Sequence, residues 1–225
     1  IRNNIATGSS GGGIDVRGRL DIKQSYIHDN IAKNMGGGIN RNYYSGSSGT
    51  PGTNDLLNIT NCTIANNFTT ASTAYLEGGG VFYRRGNGSI INSTIVYNKN
   101  EGGDGSSTHG VGLDGGSVVN LKNNIIALNA GIDSYGGDIG SRSGGSGFLD
   151  NGGNIFGKIG YYSGGLTTFV NTSWVDEGTG WNKNQDGTYL LQDGQSTTGA
   201  LNLDPSASGS GDFKVFKLGS GSIAI

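Results

Sequence analysis

Five glycine-rich tetrapeptides, at 11–14, 36–39, 78–81, 110–113 and 136–139, open short stretches reading IDVR, INRN, VFYR, LDGG and IGSR. Counting from the last residue of each tetrapeptide, the second position holds Asp15, Asn40, Phe82, Asp114 and Gly140. The fourth holds Arg17, Asn42, Arg84, Gly116 and Arg142. Alternate residues of a strand share one face, so the pattern predicts two columns of side chains pointing outward together. Carboxylate, amide, guanidinium and aromatic ring on a flat surface are groups that hold a glycan. Asp15, Arg17, Asn40, Asn42, Phe82, Arg84, Asp114 and Arg142 are therefore the candidate ligand-binding residues. The same composition also describes an ordinary solvated sheet face, and a fold alone does not choose between the two.

Catalysis asks for more. Glycoside hydrolysis needs two carboxylates at a set separation, and lyase chemistry needs a Lys or Arg base facing clustered acids or Ca²⁺. The acids Asp15, Asp21, Asp29, Glu77, Glu101, Asp104 and Asp114 are scattered, and only Asp15 and Asp114 share an aligned position. His28 beside Asp29, and His109 in a glycine–serine loop, have the chemistry of general bases. No Ser-His-Asp or Cys-His arrangement is present, and no catalytic residue is assigned. Cys62, the single cysteine, allows neither an internal disulfide nor a CxxC metal site. It occupies a repeat position held elsewhere by Ser25, Ser93 and Asn124, which reads as a substitution within the scaffold. In NKNQDGTYLLQD, Asn182, Asn184, Asp186 and Asp193 take positions 1, 3, 5 and 12 of a Ca²⁺ loop, with Gly187 at position 6. Asn at the first position and Asp at the last depart from that pattern, and Asp-Gly between apolar residues equally marks a hairpin turn. Ca²⁺ is thus one of two readings of this loop, and no other cofactor is implied.

A repeat holds these groups in place. Ile27, Ile64, Ile95 and Ile126 align at intervals of 37, 31 and 31 residues. Five residues before each is an aliphatic (Ile22, Ile59, Ile90, Leu121), and three before is an amide (Gln24, Asn61, Asn92, Asn123). Three after is an asparagine (Asn30, Asn67, Asn98, Asn129), and Asn4 fits the same frame. A unit this short cannot bury its apolar side alone, but stacked units cover one another. The aliphatics would fill the core. The asparagines would form a buried ladder in which each amide bonds the next. The stretches 40–55, 68–77 and 99–109, rich in small polar residues, read as surface loops between the landmarks.

Composition agrees. Glycine makes up 45 of 225 residues and proline only 2, which excludes collagen and Pro-rich linkers. Hydrophobic residues are 33 %, but they are mostly β-branched and evenly spaced, which argues for many short strands rather than disorder. A net charge of −2 gives no electrostatic case for nucleic acid. No apolar run is long enough to span a membrane, and no signal peptide is visible. The chain opens on IRNN without methionine and ends on SIAI, so it reads as a piece of a longer protein.

The repeat N-x-T-I-x-x-N followed by GGG-I resembles right-handed parallel β-helix proteins of bacterial surfaces. The end, NLDPSASGSGDFKVFKLGSGSIAI, is similar to the closing signature of the choice-of-anchor Q family. Asp204, Pro205, Gly211, Asp212, Phe213 and the run Ser222–Ile225 carry the likeness, with Ile223 where proline is usual. The resemblance implies an all-β, right-handed, single-stranded parallel β-helix of the pectate-lyase type, with about 6–8 coils. Right-handedness also accords with the preference of parallel crossovers. Residues 1–157 would be regular coils and 158–225 less regular ones that close the solenoid. It further implies a secreted, cell-surface location and an adhesive or structural role. Partners would be polysaccharide or surface glycan, neighbouring domains of the longer chain, or a secretion assembly. A polysaccharide lyase or hydrolase, or a carbohydrate-binding module of one, is the alternative. An ice-binding solenoid would need outward threonine columns, which are absent.

Overall fold

The computed structural model describes residues 1–42, 56–70, 78–101, 108–131, 137–141 and 146–158, together with two later strands. The chain enters through β1 (Ile5–Ala6) and then winds in coils. The first full coil is β2 (Ile14–Val16), β3 (Leu20–Lys23), β4 (Tyr26–His28) and β5 (Ile31–Ala32). The second is β6 (Ile39–Asn42), β7 (Leu56–Thr60), β8 (Thr63–Ala65) and β9 (Phe68–Thr69). The third is β10 (Val81–Arg84), β11 (Asn87–Ile91), β12 (Thr94–Val96) and β13 (Lys99–Asn100). The fourth is β14 (Val111–Asp114), β15 (Val118–Lys122), β16 (Ile125–Ala127) and β17 (Ala130–Gly131). A fifth coil contributes β18 (Ile139–Ser141), β19 (Gly147–Asp150) and β20 (Ile155–Phe156), and β21 (Leu166–Thr168) and β22 (Trp174–Val175) follow. Every strand pairs in parallel with its counterpart one coil away, which produces four sheets. Sheet I is β2-β6-β10-β14-β18, and sheet II is β3-β7-β11-β15-β19-β21. Sheet III is β4-β8-β12-β16-β20-β22, and sheet IV is β1-β5-β9-β13-β17. This is an all-β parallel β-helix.

Alternation within each strand sends one set of side chains inward. Ile27, Ile64, Ile95 and Ile126 pair in register and are fully buried, with Phe156 continuing the column. Ile22, Ile59, Ile90 and Leu121 form the second column. Sheet I adds Ile14, Ile39, Val81, Val111 and Ile139. A further inner line runs Val16, Arg41, Tyr83, Leu113. Arg41 is wholly buried there, with Nη1 3.5 Å from the Val16 carbonyl. The Tyr83 hydroxyl donates to the Leu57 carbonyl at 3.1 Å, and burial pushes its phenol far above the usual range, against a smaller downward pull from Arg41. Gly88 sits at an inner position where its neighbours carry Leu57 and Val119. The Tyr83 ring fills the space, since a Cβ on Gly88 would approach it to 3.1 Å.

The asparagine ladder is present, and its polarity is uniform. In Asn4, Asn30, Asn67 and Asn98 both the backbone N and Nδ2 donate to Oδ1 of the next asparagine, at 2.9–3.2 Å. The other Nδ2 proton goes back to a carbonyl of the preceding coil: Ile1, Ile27 and Ile64 for Asn30, Asn67 and Asn98. Each internal amide thus donates twice and accepts twice, which leaves no side-chain atom of these internal rungs unsatisfied. A Cβ on Gly80 would lie 2.9 Å from Asn98 Nδ2 and 2.8 Å from the Gly110 carbonyl. That close approach is why glycine precedes each opening strand residue in the first four coils.

Each of the first four full coils carries four strands, because two tight corners divide the isoleucine stretch. The first corner holds Gln24, Asn61, Asn92 and Asn123 at φ 47, 54, 50 and 54°. The amide column read from the sequence is thus a left-handed turn position, which asparagine tolerates. The second corner holds Asp29, Asn66, Tyr97 and Leu128 at φ 54, 54, 55 and 58°. Leucine is a poor choice there, and Leu128 is exposed. Replacing Leu128 with Asn, as at position 66, should stabilise the protein by about 1 kcal/mol, read as a higher thermal midpoint. The predicted loops also begin too early. Residues 40–42, 68–69 and 99–100 belong to strands, held by pairing with the coils on either side.

Cys62 lies in a second polar line. Its N–H donates to Ser93 Oγ at 3.1 Å, and the Ser93 N–H donates to Asn124 Oδ1 at 2.9 Å. Its thiol lies 3.2 Å from the Thr60 carbonyl, as the Ser93 hydroxyl lies 2.9 Å from that of Ile91. Burial pushes the thiol up from its ordinary range, so little thiolate is present at neutral pH. Cys62→Ser should change stability by less than about 1 kcal/mol. The native thiol should resist an aromatic disulfide reagent until denaturant is added.

Candidate functional site

Parallel register brings the opening strands of all five coils side by side in sheet I. Asp15, Asn40, Phe82, Gly112 and Gly140 form one column. Asn42, Arg84 and Asp114 form the next, with Arg17 immediately after β2 on the same side. Register therefore places the predicted residues of the first four coils in two columns, with one change of partner and with Asn40 and Phe82 buried where an outward side chain was expected. Asp114 belongs beside Arg84, not beside Phe82, because Val111 and not Leu113 pairs with Val81. Gly116 consequently falls past the end of β14. Aligning GVGL by its last residue slipped this coil by two. Gly110-Val111, matching Gly80-Val81, was the signal that sets it right.

Polar contacts tie the strip together. Asn40 Nδ2 donates to Asp15 Oδ1 at 2.6 Å, and Arg17 Nε lies 4.0 Å from Asp15 Oδ2. Two coils on, Arg84 Nε lies 3.7 Å from Asp114 Oδ2, whose other oxygen accepts the Gly115 N–H at 2.7 Å. Asp15 and Arg17 are exposed, and Asn42, Arg84 and Asp114 are half-buried. Asn40 and Phe82 are each 1 % exposed, although Phe82 is absent from the interior cluster. The strip is thus open at its rims and closed along its centre line. Arg142 and the predicted Ca²⁺ residues Asn182, Asn184, Asp186 and Asp193 lie outside the described residues. Among the described residues, no three His, Cys, Asp or Glu side chains gather where a metal would be held.

A third polar line, missed in the sequence, crosses the outer side of sheet II. Asn58 Nδ2 donates to Asp21 Oδ1 at 2.7 Å, and Ser89 Oγ donates to Asn58 Oδ1 at 3.0 Å. Asn120 continues it. The 31-residue interval from 58 to 89 to 120 was its available signal. The Asp21 carboxyl is held below its usual range by the Asn58 hydrogen bond first and by Arg19 second.

The histidines are placed but not joined to the strip. His28 Nδ1 lies 2.6 Å from Asp29 Oδ2, and its ring stacks on Tyr26 at 3.9 Å on sheet III. His109 is buried against Gly131, where a side chain would collide with its ring. Asp15 and Asp114 are three coils apart, about 14 Å at the usual ~4.8 Å strand spacing. That exceeds the roughly 5–9.5 Å at which paired glycosidase carboxylates work.

The fold and strip define a parallel β-helix whose first sheet carries a polar strip open at its rims. Compared with known protein families, with curated proteins and with solved structures, the chain matches none.

Proposed function

We propose that the chain is a secreted, cell-surface β-helix of a bacterial protein, with an adhesive or stalk-like role, and that the outer strip of sheet I holds glycan. The observation that supports this best is the juxtaposition of Asp15, Asn40, Asn42, Phe82, Arg84 and Asp114 from four adjoining strands, with Arg17 just past the first of them. Carboxylates accept from sugar hydroxyls, and amide and guanidinium groups donate to them. The stacked coils give a stiff body on which such a strip is held in register. The likeness of the C-terminal segment to the choice-of-anchor Q closing signature fits the same reading. Surface glycan, neighbouring domains of a longer chain or a secretion assembly are the partners this role implies.

The test applies the purified chain to a panel of polysaccharides, reading retention, reducing ends and unsaturated-product absorbance in the same wells. Retention without product is the expected result. Replacing Arg17 and Arg84 together by Ala should weaken it about tenfold, the effect of losing roughly 1.4 kcal/mol of polar contact. Release of product would overturn the adhesive reading in favour of a degrading enzyme. No retention and no product would remove the glycan and leave the stalk.

A further inference from the structure

Asparagine followed by glycine is a pair in which a side chain can react with its own backbone. The nitrogen of the next residue attacks the side-chain amide carbon. Glycine, without a Cβ, leaves that approach open and permits the turn it needs. The sequence holds two such pairs, Asn87-Gly88 and Asn151-Gly152. The fold treats them differently. Gly88 lies inside β11, paired with Leu57 on one side and Val119 on the other. Asn87 Oδ1 is held by the Val118 N–H at 2.8 Å. Closing a ring there would pull both residues out of sheet II. Asn151 lies just past the end of β19 and is exposed. Its Nδ2 makes only long contacts, 3.3 Å to the Leu149 carbonyl and 3.4 Å to Asn120 Oδ1. Gly152 and Gly153 follow it at φ 89 and 69°.

The attacking nitrogen also has a base beside it. The Gly152 N–H donates to Asp150 Oδ1 at 2.9 Å, within the reach at which a general base works. The Asn151 N–H, by contrast, donates to the neutral Leu121 carbonyl. We propose that Asn151 is a site of self-modification through a cyclic imide, with Asp150 taking the amide proton. The Gly152 nitrogen gives that proton to the carboxylate and bonds to Asn151 Cγ. The Cγ–Nδ2 bond breaks, and the nitrogen leaves as ammonia, carrying the proton away. Water then opens the imide at either carbonyl, giving aspartate or isoaspartate. Either product puts a new carboxylate beside Asn120 on the outer side of sheet II. Isoaspartate also lengthens the main chain by one carbon between Asp150 and Gly152. The Gly152 carbonyl accepts the Asn123 N–H at 3.0 Å, and Asp150 Oδ1 accepts Asn154 Nδ2 at 2.6 Å. Both contacts sit at this turn, so the modified chain holds its fifth coil less firmly on the fourth.

The test incubates the full chain at mildly alkaline pH, with and without denaturant, and then digests it. Mass spectrometry reads the amide-to-acid mass gain at each pair, and an isoaspartate-specific methyltransferase reads the isomer. In the native chain Asn87 should convert about tenfold more slowly than Asn151, a barrier difference of roughly 1.4 kcal/mol. In denaturant the two should convert at similar rates. Asp150→Asn, its folding checked by circular dichroism, should slow native conversion of Asn151 about tenfold and leave the denatured rate little changed. Conversion of Asn151 only in denaturant would overturn the site, because the fold would then be protecting it. Native conversion of Asn87 as fast as that of Asn151 would overturn the choice between the pairs. That comparison needs no variant, so it decides the site even where Asp150→Asn fails to fold. A folded Asp150→Asn chain converting at the wild-type rate would overturn the part given to the carboxylate.

Discussion

Asn98→Asp should destabilise the protein by about 3–5 kcal/mol at neutral pH, the cost of an uncompensated buried charge. The change keeps Oδ1, which accepts from Asn67 N and Nδ2 at 3.0 and 2.9 Å. It replaces Nδ2, which donates to the Ile64 carbonyl at 3.0 Å and to Asn129 Oδ1 at 2.9 Å. A second carboxylate oxygen would face two acceptors at those distances, in a residue that is fully buried. Asn98→Ala should cost somewhat less, about 2–4 kcal/mol, because it orphans donors on Asn67 without adding a charge. Acidification should narrow the gap between the two variants, since burial among acceptors raises a carboxyl's pKa and the protonated form donates again. Denaturant unfolding of wild type and both variants, at neutral and acid pH, checks the order. Equal stability of Asn98→Asp and wild type would mean that the ladder amides do not need their donors.

The ladder was legible in the sequence because the short asparagine amide accepts with its oxygen and donates twice with its nitrogen at each rung, so it recurs wherever a rung falls. Ile27, Ile64, Ile95 and Ile126 were legible for a similar reason: stacking demands the same volume at the same place in every coil. The second polar line was harder to see, because Ser25, Cys62, Ser93, Asn124 and Asn154 differ in type while doing related work. Sheet boundaries were hidden as well. A corner residue with positive φ is marked by Asn in three of four coils at one corner, but by Tyr97 and Leu128 at the other. No propensity rule picks those two as turns. In the candidate site, side-chain types gave the strip, but only register gave the Arg84–Asp114 pair and only geometry gave the buried side-chain carbonyl of Asn40, which no hydrogen bond reaches.

The end of the ladder reverses the rule for its middle. Every rung sends its backbone N–H and one Nδ2 proton toward the C-terminal coils, so the last amide, Asn129, presents two donors with no asparagine to follow. Three residues past Phe156, where the repeat would place one, the sequence has Ile159. Asp138 answers instead, from the position that Gly13, Gly38, Gly80 and Gly110 occupy in earlier coils. Those glycines are forced by the neighbouring ladder amide. Without that amide, a side chain fits, and the one present is the right kind. Asp138 Oδ1 accepts Asn129 N and Nδ2, each at 2.7 Å, and Oδ2 accepts the Lys158 N–H at 2.7 Å. In the line of Cys62 and Ser93 a carboxylate serves as well, with Asp150 Oδ1 accepting Asn154 Nδ2 at 2.6 Å and the Gly152 N–H at 2.9 Å. Aligned amide dipoles leave the positive end of the asparagine ladder at this coil, where a carboxylate is favoured for the reason that anions favour helix N-termini. Asp138→Asn should therefore cost about 2–4 kcal/mol, since the new amide must turn its NH₂ toward one of three donors, and hydrogen bonds to charged groups contribute about 1.5–3 kcal/mol each. The loss should be local in a stacked array, where each coil is supported by its neighbours. Hydrogen exchange should quicken at Asn129, Ile139 and Lys158 and stay slow at Asn67 and Ile64. Uniform quickening along the solenoid would mean instead that the coils open as one unit, with the two carboxylates clamping all of them.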